Sequence, residues 1–428
     1  MGIDSIAIKT FNSSGSQSVC RANEADETKL IQSEFLTKCT TEYINGSGTS
    51  FISGNVDLID EPTTEVFTLP SDIDAISEIT LQMSLDASGT NISSTFILDL
   101  IKKIEIKVGN LVVQTILPGD IYARNLTESG YVVNANTYQN LDGSGFLYTK
   151  GDHIDFSLSI PFTGRSSSLS RAFLQAGAIT NSLTMKVYYN SIGSSPPTTR
   201  LATTFPGSIK TGICVLSHSM TSTEKNFIAK NIINRTVNTS QSLVTSVSNF
   251  GSSDPRPPPV IIDLNSININ VSHILITLSK SLFKSSGAPL NNADGKGTSW
   301  SASTRSVSAT SDIGVCVGWL KSAELILGND RTGAIPGSCL AANKLEFFKL
   351  TSIPSEDIYV IKLASSAFST AGVPFSRLNN KKLILNFAND FFFFSYEGGS
   401  EKGLSNINVT CCGTQVQSTV GGTISFSA

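Results

Sequence analysis

Charge is what this sequence has least of. Only 15% of its 428 residues are Asp, Glu, Lys or Arg, against about 25% in an ordinary globular chain. The 31 basic and 34 acidic residues leave a formal net charge of −3. No Lys/Arg run resembles a nucleic-acid tail, so direct sequence-specific nucleic-acid binding is not expected. Histidine is scarce as well. His153, His218 and His273 have no metal-ligating neighbour at a useful spacing. His153 lies between Asp152 and Asp155 at a loop-to-strand border, where solvated polar residues are common, and His273 sits among strand hydrophobes and reads as structural.

Other absences narrow the chemistry further. The seven cysteines are Cys20, Cys39, Cys214, Cys316, Cys339, Cys411 and Cys412. They form no C-x-x-C pair, and the vicinal Cys411-Cys412 is too little for a metal or redox site, so reduced thiols are expected. No run reaches 18 apolar residues, which argues against a spanning helix. The start, MGIDSIAIKTFNSS, lacks the basic-then-apolar pattern of a signal peptide. There is no G-x-S-x-G elbow, H-E-x-x-H or Walker loop. Gly333–Gly337 is bounded by glycines but lacks the Lys-Ser/Thr of a phosphate cradle. Asp57, Asp60 and Glu61 gather beside Pro62 as a wet turn would. The expectation is no catalytic residue, no cofactor, no metal and no enzymatic activity.

What fills the space is Ser, Thr, Asn and Gly around a hydrophobic share of 40%. That palette suits strands with long polar loops better than helices. The length suits two domains of roughly 200 residues.

An internal repeat supports that count. Ile101–Asn110 (IKKIEIKVGN) and Leu320–Asn329 (LKSAELILGN) share Lys102/Lys321, Glu105/Glu324, Gly109/Gly328 and Asn110/Asn329. Each reads as a strand entering a Gly-Asn turn, where both residues tolerate positive φ. A helix-like segment follows each time. LPGDIYARN, from Leu117, and IPGSCLAAN, from Ile335, match at Pro118/Pro336, Gly119/Gly337, Ala123/Ala341 and Asn125/Asn343. Asp155–Phe162 then corresponds to Ile358–Leu363, and Leu183–Tyr189 to Leu383–Phe387. The order of hairpin, short helix, strand, loop and strand is thus kept twice.

Period-two alternation marks the other strands. It runs through Ala75–Leu85 with a slip between Ile76 and Ile79, and through the segment from Ile261 with a slip at Ser272-His273, as a bulge would produce. Residues 129–152 and 285–312 are polar excursions. Phe391–Phe394 cannot all face one side of a strand. The fold class read from this pattern is all-β: two tandem eight-stranded jelly rolls with short helices and long loops. The division expected is an N-terminal arm over 1–48, a first jelly roll over 49–195 and a linker over 196–212. The second jelly roll spans 213–400, followed by an extension or closing strand over 401–428.

These paired segments resemble the double jelly-roll major capsid proteins of large icosahedral DNA viruses. So do Ile160-Pro161-Phe162, Phe173-Leu174 and Leu183–Tyr189 in the first half. Phe375-Ser376-Arg377-Leu378-Asn379-Asn380 is similar to a second-domain element of that family, with Asn379 where Asp is common. The resemblance covers about 50–390. It implies a homotrimer forming a pseudo-hexameric capsomer in a virion capsid assembled inside a host cell. The partners it implies are neighbouring capsomers, minor capsid or penton proteins and a nearby internal viral membrane. Two other readings fit parts of the composition. One is a carbohydrate-binding or fibre-like tandem β-sandwich, and the other is a β-sandwich hydrolase.

The residues singled out for interfaces follow from charge. Alternation puts Glu105 on one face with Lys103 and Lys107, an outward charge row with Glu324 as its repeat, able to blunt an edge or pair with a neighbouring subunit. Arg124, Arg165, Arg171 and Arg377 are candidate anchors, because a guanidinium satisfies several oxygens at once. Solvated or intrachain-paired arginines fit the sequence equally well.

Overall fold

The computed structural model describes residues 39–45, 47–48, 64–69, 74–86, 91–93, 98, 101–129, 134–136, 146–148, 153–165, 173–174, 183–189, 209–218, 226, 230–248, 258–284, 320–348, 358–367, 372–387, 403–420 and 423–427. Phe51–Leu58, Asp152, Arg171 and Phe391–Phe394 lie outside them.

The first half supplies β1 (Cys39–Asn45), β2 (Ser47–Gly48), β3 (Thr64–Thr68), β4 (Ala75–Asp86), β5 (Asn91–Ser93), β6 (Ile101–Val108) and β7 (Leu111–Ile116). After them come α1 (Pro118–Ser129), β8 (Asn134–Asn136), β9 (Phe146–Tyr148), β10 (His153–Ser159), β11 (Phe173–Leu174), β12 (Leu183–Tyr189) and β13 (Ile209–His218). The second half supplies β14 (Ile233–Ser248), β15 (Val260–Asp263), β16 (Asn270–Lys284), β17 (Leu320–Leu327), β18 (Asp330–Arg331), β19 (Ile335–Pro336) and α2 (Gly337–Phe348). It ends with β20 (Ile358–Lys362), β21 (Val373–Pro374), β22 (Lys381–Phe387), β23 (Gly403–Val420) and β24 (Thr423–Ser427).

The strands form two pairs of facing sheets with the same plan. In the first half β1-β13-β4-β10-β8 faces β2-β3-β12-β6-β7. In the second, β14-β23-β16-β20 faces β15-β22-β17-β18. Even the short accessory strands correspond, since β11 pairs with β4 and β21 with β16. This is the double jelly roll.

The duplication extends to irregularities. Between β13 and β4 the ladder jumps from Leu216–Glu78 to Ser217–Ile76, leaving out Ser77. Between β23 and β16 it jumps from Cys412–His273 to Gly413–Val271, leaving out Ser272. The two slips in alternation are therefore one β-bulge used twice. A second shared slip omits Lys102 on β6 and Lys321 on β17. The identical lysine is the bulged residue, and both copies are exposed. The conserved asparagines also do one job: Asn125 donates to the Ser159 carbonyl at 2.8 Å, and Asn343 to the Val360 carbonyl at 3.0 Å. Each ties its helix to the strand that follows.

The Gly-Asn turns divide their labour. Gly109 and Gly328 take φ of 57° and 65°. Asn110 and Asn329 stay out of the left-handed region, so only the glycine of each turn is required there. Asn380 is the one described non-glycine residue with positive φ, at 56°; its carbonyl accepts from the Gly328 amide at 3.2 Å.

Hydrogen bonding moves the domain boundary. The sequence places residues 196–212 in a linker and opens the second unit at 213. Ile209–His218 instead pairs with β4 along its whole length and with β1, so it is the last strand of the first jelly roll. Alternation alone cannot say which sheet a strand joins, because both sheets present the same apolar face. By the same ladders β1, which falls within the expected arm, is part of the first jelly roll. β23 is an interior strand of the second, running between β14 and β16. The join between the units therefore falls between His218 and Ile233.

Two apolar clusters form the cores. One gathers Ile104, Ile106, Leu81, Met83, Leu158, Met185 and Val187 of the first jelly roll, and the other gathers Ile274, Ile276, Leu325, Leu383, Leu385 and Val409 of the second. The first cluster does not stop at the boundary. It continues into Leu275, Phe347, Phe348, Ile358, Val360 and Cys412 of the second unit.

Replacing Gly109 or Gly328 with Ala forces a Cβ into the left-handed region at a cost of about 1–2 kcal/mol. Asn110→Ala costs far less. Equilibrium denaturation of the three variants checks this, and an Asn110→Ala penalty matching that of Gly109→Ala would refute the division.

Candidate functional site at the domain seam

Within the sheet β14-β23-β16-β20 the inner strands β23 and β16 are buried on both faces over 407–412 and 271–278. On β23, Ile407, Val409 and Cys411 point into the second core, while Cys412 joins the first cluster. What covers that other face is α1, with β7 and the loop 160–165 of the first jelly roll and, at its β20 side, Phe347 and Phe348 of α2.

Helix α1 forms where Pro118 can occupy the first turn and Asp120 faces the positive end of the helix. Ile121, Tyr122, Ala123 and Leu126 enter the core. The remaining face carries Asp120, Arg124 and Glu128 at intervals of four, one stripe of a helix. Arg124 donates from Nε to Glu128 at 2.8 Å and from Nη1 to the Pro161 carbonyl at 2.9 Å. It also reaches the Ser240 hydroxyl on β14 at 3.2 Å. That hydroxyl donates to Asp120 Oδ2 at 2.8 Å. Arg165 donates to the Asn125 side-chain oxygen at 2.7 Å and lies 3.5 Å from Glu128.

Gln114 on β7 closes the seam beside this group. Its carbonyl oxygen accepts from the Thr163 amide at 2.6 Å and hydroxyl at 2.9 Å, and its nitrogen donates to the Ser240 carbonyl at 3.3 Å. Thr163 and Thr239 share a hydrogen bond of 2.9 Å across the boundary, and the Gly164 amide donates to the Asn238 carbonyl at 2.7 Å. Gly119 permits the approach: a Cβ there would lie 2.6 Å from the Asn408 side chain.

His273 sits on the far side of this network. Its Nδ1 is 2.8 Å from the Ser272 hydroxyl, which donates to the Cys412 carbonyl at 3.1 Å. The hydroxyl has one proton, so Nδ1 carries the hydrogen between the two. The ring packs edge-on against Phe347 and Phe348.

Burial sets the ionisation here. It pushes the Asp120 carboxyl up, and the Arg124 charge and the Ser240 hydroxyl draw it only part of the way back, to about 6. Burial and the neighbouring Arg124 charge hold His273 down at about 3. Burial also raises Cys411 to about 12, and Cys412 further, so both are thiols at neutral pH.

The residues singled out from sequence divide between this seam and the surface. Arg124 and Arg165 come together in it, paired within the chain. Glu105 lies on the outward face of β6 but is covered by its own neighbours, Lys103 at 2.5 Å, Lys107 at 3.1 Å and the Tyr188 hydroxyl at 2.8 Å. Burial raises its carboxyl, and those three hydrogen bonds outweigh it and hold the group at about 2. Glu324 pairs with the exposed Arg331. Arg377 is exposed on the short turn of Phe375–Arg377. His273 is buried in the seam; the side chains of His153 and His218 are not described. Among the described residues, no three His, Cys, Asp or Glu gather as a metal would need.

Sequence reading missed Gln114, Glu128, Ser240, Thr163 and Thr239. The four-residue spacing of Asp120, Arg124 and Glu128 carried a signal. Ser240 carried none, being one hydroxyl in a polar strand.

No protein-family model matches this sequence, and no curated protein matches it. Solved structures do match the fold. The quasi-atomic model of the PBCV-1 virus capsid aligns with a TM-score of 0.65 at 12% identity, over 92% of this chain and 97% of that one. The Faustovirus major capsid protein aligns at 0.54 and 9% identity, over 88% of this chain and 90% of that one. The chain thus has the double jelly-roll architecture of these capsid proteins over nearly their full lengths.

Arg124→Ala removes the buried counter-charge of Asp120 and leaves Glu128 with Arg165 alone, and should destabilise the chain by about 3–5 kcal/mol, read by denaturant unfolding. Acid behaviour tests the seam separately. The folded value of His273 lies below its unfolded value, so its contribution is present above about pH 6.5 and is lost as pH falls toward 3. The folded value of Asp120 lies above its unfolded value, so its contribution is present below about pH 4 and is lost as pH rises through 6. Between pH 4 and 6 the two oppose. His273→Gln should shift the slope in that window toward greater stability at lower pH, and Asp120→Asn should shift it toward greater loss at lower pH, each by up to one proton. Unchanged slopes in both would refute the assignment.

Proposed function

We propose that this chain is a major capsid protein of an icosahedral double-stranded DNA virus, and that three copies form a pseudo-hexameric capsomer. The observation that carries the reading is the seam. A single chain holds two copies of one jelly roll and fixes them side by side through a buried apolar and ionic contact. Such a unit is a pair of similar wedges, and three of them supply six. The same architecture in the PBCV-1 and Faustovirus capsid structures, nearly end to end, supports it.

Function then lies in shape and contacts rather than in a reacting site. Intracapsomer and lattice contacts add geometrically, so each can be modest. Glu324, with Arg331, and Arg377 are free to meet neighbouring capsomers. Glu105, Arg124 and Arg165 are committed within the chain, and their part is to keep each wedge rigid. Minor capsid or penton proteins and an internal membrane are the further neighbours on this reading. A sugar-binding or hydrolytic β-sandwich gives no reason for welding two equivalent units along a buried seam.

Purified protein should run in sedimentation or light scattering at three times 45.5 kDa and show six-lobed particles by electron microscopy. A chain that stays monomeric at all concentrations and binds glycans would overturn the proposal.

A further inference from the structure

The duplicated ladders allow the two halves to be laid over each other residue by residue. The shared bulge sets Glu78 on His273, Thr80 on Leu275 and Leu216 on Cys412. The β10–β4 and β20–β16 ladders set Ser157 on Ile358 and Ser159 on Val360. In the second jelly roll these positions form the face covered by α1 together with Phe347 and Phe348 of α2. They are buried, and Leu275, Ile358, Val360 and Cys412 belong to the first apolar cluster. In the first jelly roll the same face carries Glu78, Thr80, Ser157, Ser159 and Leu216. Glu78 is exposed and the others are half-buried.

The covering elements are duplicated too. Gly119 and Asp120 of α1 correspond to Gly337 and Ser338 of α2, and Arg124 corresponds to Ala342. Ser338 and Ala342 are exposed, where Asp120 and Arg124 are buried. The β1–β13 and β14–β23 ladders place Thr41 at the register position of Ser240. The chain therefore contains one complete joint, of α1 on a sheet face. Among the described residues it also contains two halves of a second that no in-chain joint of this kind covers: the Ser338–Ala342 side of α2, whose other end is committed within the chain through Phe347 and Phe348, and the face of β13-β4-β10.

We propose that α2 of one copy docks on the β13-β4-β10 face of another copy, repeating between chains the joint that α1 makes within the chain. This rests on the capsomer reading and adds to it which surfaces meet and what their chemistry is. The in-chain joint is apolar with a buried ionic network, so it forms as part of folding. The between-chain joint replaces Leu275, Ile358 and Val360 with Thr80, Ser157 and Ser159, and Asp120 and Arg124 with Ser338 and Ala342. Its halves tolerate water, which lets a single copy fold and remain soluble before it meets others. Small residues on α2 leave room for close approach, as Gly119 does inside the chain.

The test compares full-length Thr80→Arg, Ala342→Arg and, as a control on the outer face of β7, Thr115→Arg. Mass photometry reads assembly and thermal unfolding reads the fold. Thr80→Arg and Ala342→Arg should shift trimer to monomer at equal concentration with melting temperature retained, while Thr115→Arg stays trimeric. A second arm keeps the interface intact: in a Cys339→Ser background, which removes the exposed native thiol beside the site, Ser338→Cys combined with Thr41→Cys, after mild oxidation, should give covalent dimers and trimers on a non-reducing gel. Neither single variant should do so. If trimers persist in both arginine variants and no cross-link forms, the proposed docking is wrong although the capsomer reading stands. If the wild-type chain never exceeds a monomer, the capsomer reading itself falls and takes the docking with it.

Discussion

The arrangement depends on one sheet being covered twice. β14-β23-β16-β20 closes the second jelly roll on one side and receives α1 on the other. A strand buried on both faces cannot alternate apolar with polar, and β23 does not: Cys411 and Cys412 are adjacent and both buried. Among the described residues, the polar contacts that join the halves gather around that face. The cost of desolvating Asp120 and Arg124 is offset by their mutual attraction, by the more exposed Glu128 and by Ser240 and Pro161. The apolar cluster that runs on into Phe347 and Phe348 supplies the non-directional part of the attraction. A hydrophobic contact alone would tolerate sliding. The fixed directions of the Arg124 and Gln114 hydrogen bonds do not, so the two wedges hold one angle.

Duplication with divergence explains how one design serves two contacts. Backbone features are copied closely: the bulges at Ser77 and Ser272, the bulged Lys102 and Lys321, the turn glycines, and the asparagines that tie each helix to its next strand. Surface chemistry is not. The equivalent of Leu275 is Thr80, and the equivalent of Arg124 is Ala342. Backbone irregularities fix sheet shape, and a change there would displace a whole strand by one residue and turn its core face outward. Side chains on an outer face can change freely to suit what they touch. Glu105 and Glu324 show the same divergence: one is held beneath two lysines and a tyrosine, the other pairs with a single exposed arginine.

Much of the fold was legible in the residues. Alternation located most strands, and its two slips marked both bulges. The Gly-Asn turns, the two short helices and the tandem order followed from the repeat. The boundary at 196–212 did not follow. Proline-rich and polar letters mark a loop, but a loop inside a jelly roll has the same composition as one between two of them. Only the pairing of Ile209–His218 with β4 separates the cases. For the site, Arg124 and Arg165 stood out as arginines able to bind several oxygens. Whether those oxygens belonged to the same chain or to another could not be read from them.

The sequence by itself determined the class of fold, its duplication and the absence of any recognisable catalytic motif, because these rest on local periodicity, spacing and composition. Tertiary structure decided which sheet each strand joins, that α1 rather than α2 is buried against the other jelly roll, and that Asp120, Arg124, Ser240 and His273 share one environment. Those facts depend on residues more than a hundred positions apart meeting across a seam, and no local pattern records which of two equivalent faces a helix will cover.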